Sequence, residues 1–455
     1  MCRNGRRWGL LAVAGLGPWM AALAQTAAPA AAPAAAAAAA PLTHPGLVAL
    51  DQINGADTAW MMASTALVLL MTLPGIALFY AGMVRRKNVL NTMAAVLAAT
   101  GVVTVVWFVA GYSWAFTPGG GFIGGSERMW FAGFEFFKSS GKIAVSHIAP
   151  NIPETVYAMF QLAFAVITPA LIIGSLVERM RFSAMLWFMG LWSLFIYVPV
   201  AHWVWEPGGW LASRGALDFA GGSVVHINAG VAGLVCAWML GPRQGYGREP
   251  FEPFNLGLTM TGTGLLWVGW FGFNAGSAVA SDGRAGLAFA VTHIAAGTGA
   301  LAWMMGEWIM RRRPSLLGLC SGAVAGLVAI TPASGFVGVR AALVIGLVAG
   351  LACYWGATGL KRLLNADDAL DVFGVHGIGG IVGCILTGVF ADPDISGMEG
   401  NVLVQLLDAG AVLLYSGVGT ALVLMLTRVL VGLRVDEVSE QNGLDISQHR
   451  ERVGG

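Results

Sequence analysis

Long apolar runs, separated by short polar segments, follow one another along most of the chain. A bilayer core of about 30 Å needs roughly 20 apolar residues for each helix that spans it. Runs of this kind recur after residue 57, and the eighth is short and Gly-rich, so ten spans also agree with the pattern. The pattern predicts an all-α polytopic membrane protein with eleven transmembrane helices, spans 1 to 11, at about 58–83, 89–116, 154–177, 182–204, 219–240, 254–276, 285–309, 316–333, 339–360, 372–391 and 402–432.

The Lys and Arg residues between the predicted spans are unevenly distributed. Alternate loops hold twelve of them, whereas the other set of loops is longer in total and holds six. Because cytoplasmic loops carry the excess of Lys and Arg, we expect an inner-membrane protein with its N-terminus outside and its C-terminal tail in the cytoplasm. The cytoplasmic set is Arg85, Arg86, Lys87, Arg179, Arg181, Arg243, Arg248, Arg311, Arg312, Arg313, Lys361 and Arg362.

The first residues have the pattern of a secretory signal peptide. Arg3, Arg6 and Arg7 precede an apolar run that ends in the small residues around Ala24. A short first transmembrane helix is the rival interpretation, although Gly and Pro residues interrupt the run. We predict a signal peptide at 1–24, an Ala/Pro-rich exported linker at 25–56, the transmembrane domain at 57–433 and a cytoplasmic tail at 434–455.

The composition agrees with a membrane protein. Of 455 residues, 57% are hydrophobic and 11% are charged, whereas a soluble domain carries roughly 25% charged residues. The mean hydropathy is +0.72. The formal net charge of +1 argues against a nucleic-acid partner. The cysteines after the signal peptide lie in apolar stretches without the spacing of metal ligands, so they are interpreted as core residues.

Three short motifs occur twice, in the same order in two halves of the chain. Each half contains five predicted spans, so the halves must insert with opposite topology. We therefore predict an inverted five-plus-five repeat followed by a final peripheral helix, with His226 and His376 brought together at the middle of the bundle. The repeated pairs are Phe79-Tyr80-Ala81-Gly82 with Phe273-Asn274-Ala275-Gly276, Ile167-Thr168-Pro169-Ala170 with Ile330-Thr331-Pro332-Ala333, and Val225-His226 with Val375-His376.

The ionisable residues singled out as candidates are His226 and His376 inside spans, with Asp218 and Glu307 near span ends. Ionisable groups are costly in a membrane and are therefore candidates for function. A single membrane His is often a buried group bonded to a backbone carbonyl, but the repeat pairs these two. Two facing imidazoles can line a pore for a small polar guest, or they can bind haem iron from both sides. No carboxylate or cysteine accompanies them, so a metal site is not expected.

Longer motifs carry a resemblance to a known family. The stretch from Asp218 to Arg243, DFAGGSVVHINAGVAGLVCAWMLGPR, resembles the signature of the ammonium transporter (Amt/Mep/Rh) family. The segments PGIALFYAGMVRRKNVL, ERMRFSAM, GWFGFNAGS and LKRLLNADDALDVFGVHGIGGIVG extend the resemblance over 57–446. The resemblance, to the bacterial Amt type, implies eleven helices with inverted halves, a homotrimer with one pore in each subunit, ammonium as substrate and a place in nitrogen metabolism.

The resemblance also implies which residues form the site. Taken singly, a Trp is commonly an interfacial belt residue and a Phe commonly packs between helices. We interpret the acid at the start of span 5 as an N-cap that supports the structure rather than as a direct ligand. The matched positions are Trp205, Ser277 and Phe164, with Phe160 one turn away, for the outer substrate site; Phe164 and Phe273 for the gate; His226 and His376 for the pore; and Asp218 for structural support.

These residues suggest a transport mechanism. Ammonium is a cation with four N–H donors, and an indole face offers it about 1–2 kcal/mol of cation–π attraction. Charge at the bilayer centre is costly, so we expect deprotonation at the gate and passage of neutral ammonia along two neutral histidines. The proton would travel separately. We expect neither a cofactor nor enzyme activity.

Two features depart from the family, and two other functions remain open. The tail reads Ser447-Gln448-His449-Arg450-Glu451 where relatives commonly carry a His-Gly-Glu ending, so docking of a PII-class signalling protein at the cytoplasmic face is an open partner prediction. The Gly-rich outer loop 117–152 receives no role. The alternatives to a transporter are an ammonium sensor that acts through its tail and a membrane bis-histidine haem protein.

Overall fold

The long helices of the structure follow the apolar runs of the sequence. The computed structural model describes residues 42–454. Helix ends differ from the predicted span ends by at most three residues, as at the start of the first helix, at residue 55 against a predicted 58. The helices are α1 Gly55–Met83, α2 Arg86–Phe116, α3 Glu154–Leu176, α4 Phe182–Trp205, α5 Gly222–Leu240, α6 Leu256–Gly276, α7 Gly283–Arg311, α8 Leu316–Ile330, α9 Val339–Leu363, α10 Phe373–Phe390 and α11 Val402–Val431.

Nine of these helices, all except α6 and α8, are long and apolar enough to cross a membrane, counted over residues 42–454. Helix α8 has 15 residues, and it coincides with the span that the sequence marked as the weakest. The prediction of a polytopic, mainly helical membrane protein is therefore confirmed. The predicted signal peptide at 1–24 and the first part of the predicted linker lie outside the described residues.

Polar residues at the ends of the apolar runs cap several helices. The side chain of Asn54 accepts hydrogen bonds from the backbone N–H groups of Ala56 and Asp57, and Asn401 does the same at the start of α11. Such caps satisfy donors that the first helical turn leaves unpaired. They help to fix where each of these helices begins.

The helices that carry the candidate residues lie at the centre of the bundle. Helix α5 contacts α3, α10 and α11, and the first turns of α5 and α10 touch each other. Among the nine spans of the described chain, α3 and α5 are the most buried. This arrangement brings residues from distant parts of the chain to one axis.

A small antiparallel sheet lies beside the start of α3. Strand β1, Gly46–Ala49, pairs with β3, Lys142–Val145, and β3 pairs with β2, Phe136–Phe137. Part of the predicted linker 25–56 is therefore folded against the loop 117–152, to which the sequence gave no role. A local pattern does not show this pairing, because the two strands are about 95 residues apart and the sheet forms only in the folded chain.

The tail forms one short helix, α12, Glu437–Asn442, and a π-helical turn, Asp445–His449. It lies against the Arg-rich loops. Lys87 Nζ donates to the Gln441 carbonyl at 2.6 Å, and Arg434 donates to the Leu240 carbonyl at 2.8 Å. Asn91 N–H donates to the Asp445 carboxylate at 2.7 Å. The tail is thus an integral part of this end of the bundle.

Candidate functional site: an aromatic vestibule above a histidine pair

A cavity of about 150 Å³ opens between the start of α3 and the ends of α4 and α6. All four residues predicted for the outer site line it: Phe160, Phe164, Trp205 and Ser277. The cavity lies at the end of the bundle opposite the Arg-rich loops and the tail. We call this cavity the vestibule.

The Trp205 ring is fixed by contacts on several sides. Its indole N–H donates to the Asp218 carbonyl at 2.9 Å. The ring stacks on Phe116, with centroids 6.5 Å apart at 14°, and meets Phe164 edge-on at 5.6 Å and 89°. Because the N–H is already used, the indole interacts with a guest through its π surface, which attracts cations.

Ser277 supplies an acceptor to the same cavity. Its hydroxyl donates to the Phe273 carbonyl at 2.8 Å, which leaves the oxygen lone pairs for an N–H donor. Two polar residues that the sequence analysis missed, Tyr157 and Gln161, also line the vestibule. Gln161 donates to the Tyr157 hydroxyl at 3.3 Å, and its side-chain oxygen has no partner among the described residues. The vestibule thus offers several acceptors and an aromatic face.

The predicted gate residues form a closed pair below the vestibule. The rings of Phe164 and Phe273 lie with centroids 4.3 Å apart at 32°, and both side chains are buried. The Phe273 ring also stacks on His226, at 6.0 Å. The pair therefore separates the vestibule from the histidines.

His226 and His376 meet directly at the bundle centre. Their Nδ1 atoms are 3.3 Å apart and their rings are near parallel, 5.3 Å apart at 24°. One nitrogen must donate and the other accept, so the two rings hold complementary tautomers. His226 Nε2 has no partner within the described chain. Both rings line a narrow cavity of about 10 Å³, about the space of one water-sized molecule.

Two structural devices bring the histidines together. Each lies in a π-helical first turn, Gly222–Ile227 in α5 and Phe373–Gly377 in α10. Such widened turns are frequent at functional sites. Four residues after each histidine, Gly230 faces the Gly377 backbone and Gly380 faces the Gly222 carbonyl, so a Cβ at either position would clash. The two helices can approach this closely only with glycine there.

Asp218 binds the start of α5. Its carboxylate accepts from the N–H groups of Gly221, Gly222, Ser223 and Val224 at 2.6–3.1 Å, and from the Ser223 hydroxyl at 2.9 Å. These are the contacts of a residue that caps a helix N-terminus. Its side chain is not among those that line the vestibule.

Asp368 is the counterpart that the sequence analysis missed. It accepts from Phe373 N–H at 2.8 Å and from the Ser175 hydroxyl at 2.6 Å. Asp218 precedes His226 by eight residues and Asp368 precedes His376 by eight. This equal spacing was a signal in the sequence that could have found it.

A second acid was also missed, and it lies inside a predicted span. Asp408 is in α11 and is fully buried. A carboxyl group within the apolar run 402–432 was a readable signal, since acids are rare in transmembrane helices.

Paired charges are concentrated at the end of the bundle that holds the tail. Arg243 donates to Asp367 at 2.8 Å and to Glu178 at 3.2 Å, and Arg85 contacts Glu178 at 2.8 Å. Burial by itself would raise the pKa of Glu178, but Arg243 and Arg85 together hold that pKa below its ordinary value. The pKa of Asp367 is likewise lowered, against the effect of burial, mainly by Arg243.

The histidine pair has little room for a haem. Two axial ligands stand on opposite faces of a porphyrin, whereas these imidazoles touch across 3.3 Å beside a cavity of about 10 Å³. No group of three or more His, Cys, Asp or Glu within residues 42–454 is placed to hold a metal ion. The geometry disagrees with a bis-histidine haem protein.

Comparisons with known proteins show which family this chain is similar to. A family model described as the Ammonium Transporter Family matches residues 59–453. An ammonium transporter of Aquifex aeolicus is 47% identical over 410 residues, covering 88% of this chain and 94% of that protein. The crystal structure of Candida albicans Mep2 matches with a TM-score of 0.79 and 36% identity, over 86% of this chain and 89% of that one. A structure described as a sensor Amt protein matches with a TM-score of 0.79 and 26% identity, over 87% and 98%.

Proposed function

The chain belongs to the Ammonium Transporter Family, and on that basis we propose that it carries ammonium nitrogen across the inner membrane through a pore lined by two histidines. One observation carries the proposal. The vestibule, the pair Phe164–Phe273 and the pair His226–His376 follow one another in direct contact, in that order.

The vestibule is the recruitment site in this proposal. Trp205 offers a π surface and Ser277 a hydroxyl oxygen, which together suit a small cation with N–H donors. Phe160 and Phe164 complete an aromatic wall. Partial desolvation in this pocket strengthens the cation–π attraction, which reaches about 2 kcal/mol or more in such settings.

Beyond the gate, the proposed guest is neutral ammonia. The space beside the histidines is narrow and mostly apolar, and no carboxylate of residues 42–454 lines it. A cation there would lose its hydration without a compensating charge, at a large cost in free energy. Ammonium avoids this cost by leaving a proton behind, whereas potassium has no proton to lose and is excluded.

Reconstituted proteoliposomes provide the direct test. Ammonium and methylammonium should be taken up in a saturable manner, whereas potassium at the same concentration should produce neither uptake nor current. Empty liposomes give the background permeability to ammonia. Equal rates for potassium and ammonium would contradict passage of the neutral species.

We further propose that all eleven helices, α6 and α8 included, span the membrane as two inverted halves, that α11 is peripheral, and that three copies assemble. The equal spacing of Asp218–His226 and Asp368–His376 and the reciprocal packing of Gly230 and Gly380 support the repeat. The Arg-rich loops and the tail would face the cytoplasm. The signal peptide would be removed from the mature protein.

Cysteine labelling tests this orientation. Arg312 and Gly283 are exposed at opposite ends of α7, and the native cysteines of the described chain are buried. Arg312→Cys should react only with a reagent on the cytoplasmic side and Gly283→Cys only with one on the outer side. The reverse labelling would overturn both the orientation and the number of spans.

An ammonium sensor is the second candidate, favoured by the match to a sensor Amt protein and by the tail packed on the Arg-rich loops. A PII-class signalling protein at this face would be its partner. A sensor without transport would show no flux in the liposome experiment but ammonium-dependent binding of that partner. Substantial saturable flux would reject this alternative as the sole function.

A further inference from the structure

An exposed aromatic segment of the Gly-rich outer loop lies against the side of α2. Trp130 and Phe131 meet the Phe108 ring edge-on, with centroids 5.8 Å and 5.3 Å away. Phe108 is 42% exposed on a helix that is apolar enough to cross a membrane, and Trp130 is 61% exposed. Leu97 and Val105 of α2 are exposed at helical spacing on the same side as Phe108. Trp130 therefore continues a surface of α2 that no part of the described chain covers.

The length of α2 sets the depth of that contact in the membrane. The helix has 31 residues, which at about 1.5 Å per residue span about 46 Å, against a bilayer core of about 30 Å. A centred helix therefore projects about 8 Å from the core at each end. Phe108 lies about 12 Å along the axis from the end of α2 at Phe116. Its ring is thus below the surface of the hydrocarbon, and Trp130 beside it lies at the boundary.

The backbone before and at Trp130 is held in place by α2 and α3. The Arg128 backbone N–H donates to the Ser113 hydroxyl at 3.0 Å, and the guanidinium donates to the buried Glu154 carboxylate at 2.9 Å. Trp130 and Phe131 both adopt left-handed backbone, at φ 57° and 54°, which bulky residues rarely adopt. The fold accepts this unfavourable turn and still leaves the Trp130 ring exposed, so burial within the described chain does not repay its cost.

Two lysines accompany a second exposed pair of aromatic residues. Phe136 and Phe137 form the edge strand β2, and both side chains are exposed. Lys142 lies opposite Phe137 in the antiparallel pair, and Lys138 follows Phe137 directly. Both lysines are exposed, and neither takes part in an ion pair within residues 42–454. Aromatic rings beside cationic side chains are typical of surfaces that meet lipid headgroups.

We propose that residues 130–142, which we call the anchor segment, bind the membrane leaflet on the vestibule side. Trp130 lies at the boundary of the hydrocarbon, a depth that suits an indole because its body is apolar and its N–H is polar. The two phenylalanines of β2 enter the headgroup region, where Lys138 and Lys142 pair with phospholipid phosphates. A second copy of the chain fits this surface less well, because that copy would have to supply carboxylates to both lysines, whereas phospholipids present phosphate along the whole surface.

The anchor segment leads directly to the vestibule. Its last residue begins strand β3, which also pairs with β1. Ile148, three residues after the end of β3, lines the cavity. Attachment of the segment to the leaflet therefore holds one wall of the vestibule at a constant depth. That consequence rests on the proposed function, whereas the contact with lipid does not.

Spin-label accessibility of the full-length protein in phospholipid bilayers tests the contact without a transport assay. Ala132→Cys places a nitroxide label at an exposed position of the anchor segment and keeps Trp130 and both lysines. Oxygen concentrates in the bilayer, whereas a nickel chelate stays in water, so the two collision rates report the surroundings of the label. The native cysteines of the described chain are buried, and the parent protein treated with the label gives the background.

Two reference positions calibrate the measurement. The Ala132→Cys label should collide more with oxygen than with the chelate, as should a label at Leu97→Cys on the exposed side of α2. A label at Glu399→Cys, an exposed acid between α10 and α11, should show the reverse. A label at Ala132→Cys that is open to the chelate would place the segment in water, and one shielded from both probes would place it against a second copy. Either result would overturn the proposal.

Variants of the anchor residues complete the experiment. In the Ala132→Cys background, Trp130→Ser should raise the collision rate with the chelate severalfold. Phe122→Ser, at an exposed aromatic residue of the same loop outside the segment, should leave that rate unchanged. Addition of phosphatidylglycerol to phosphatidylcholine bilayers should move the label deeper, and Lys138→Gln combined with Lys142→Gln should abolish this shift. A shift that persists without the two lysines would overturn their pairing with phosphate.

Discussion

Helices α5 and α10 begin with the same local motif in different surroundings. Each has an acid eight residues before a histidine and a glycine four residues after it. His226 also stacks on Trp270 at 5.5 Å and on Phe273 at 6.0 Å, whereas His376 stacks only on His226 within the described chain. The motif sets the position of each imidazole, and the neighbouring helices decide what each imidazole meets.

Asp218 and Asp368, the acids that precede the two histidines, also have different hydrogen-bond partners. Asp218 uses its carboxylate on the first turn of its own helix, through five hydrogen bonds. Asp368 bonds one N–H of its own helix and the Ser175 hydroxyl of α3. The first acid therefore shapes a helix end, and the second connects two helices. A repeated sequence motif thus preserves a position but not a role.

Removal of both histidines should have the largest effect. Replacement of His226 and His376 by Leu should reduce ammonium flux or the discrimination against potassium at least roughly tenfold, which corresponds to about 1.4 kcal/mol of barrier. The reason is loss of the polar groups that line the apolar path. Stopped-flow uptake into proteoliposomes measures it.

The single variants then test the comparison between α5 and α10. His226→Leu should be more damaging than His376→Leu, because His226 directly follows the gate. Equal effects would mean that the two histidines contribute equally. Normal selectivity in the double variant would show that the pair only joins the two helices.

Substitution of Asp218 and of Asp368 should have the next largest effect, and it should be an effect on stability. Asp218→Ala leaves several buried N–H donors unpaired and should lower the free energy of unfolding by about 3 kcal/mol, against about 1.5 kcal/mol for Asp368→Ala. Thermal melting of the purified protein in detergent measures both. Asp218→Asn, which keeps one acceptor oxygen, serves as the control and should melt between parent and Asp218→Ala. A larger loss for Asp368→Ala would reverse our comparison of the two acids.

Trp205 and Ser277, which line the vestibule from the ends of α4 and α6, should contribute unequally. Trp205→Leu should weaken the apparent affinity for ammonium by about five- to thirtyfold, from the loss of about 1–2 kcal/mol of cation–π attraction. Ser277→Ala should weaken it by about fivefold, from one hydrogen bond. Saturation curves in proteoliposomes give both values. If Trp205→Leu saturates as the parent does, Trp205 is an interfacial residue and not a ligand.

The smallest effect concerns two acids that both accept from Arg243. Glu178 follows the end of α3, and Asp367 precedes the start of α10. Both have a lowered pKa in the folded protein, because Arg243 outweighs the effect of burial. Their stabilisation is therefore complete above the unfolded values of about 4.3 and 3.9 and is lost as the pH falls through the lower folded values. The melting temperature should thus fall only below about pH 4.

Arg243→Gln tests the cause of that acid sensitivity. The variant should melt lower at neutral pH and change less on acidification, since the two carboxylates no longer gain from the guanidinium. Glu437→Gln, at an exposed acid of the tail, is the control and should follow the parent. Acid sensitivity that is unchanged in Arg243→Gln would assign it to other groups.

The sequence located the elements well because their signals are local. The length of each apolar run marked the helix ends within a few residues, and the structure adds caps such as Asn54 and Asn401 at those ends. The repeat predicted that His226 and His376 would meet, and they are in contact. The linker was less readable, since β1 is defined by its pairing with a distant strand.

The site was only partly predictable for the same physical reason. The aromatic residues and histidines of the path came from motifs, and the structure places them in one row. Gln161 and Asp408 were missed, although Asp408 stood within an apolar run. What each of them contacts depends on how separate helices pack, as with Asp408 of α11 and Cys384 of α10.

By itself, the sequence determined a polytopic helical membrane protein, its helix boundaries, the pairing of two histidines and a family resemblance, because hydrophobic length, capping and repeated motifs are properties of neighbouring residues. Only the tertiary structure decided that the imidazoles touch, that two phenyl rings close the path above them, and that one oxygen of the buried Asp408 has no hydrogen-bond partner among the described residues. These features are distances between helices, and they are set by which small residues, such as Gly230 and Gly380, let two backbones approach.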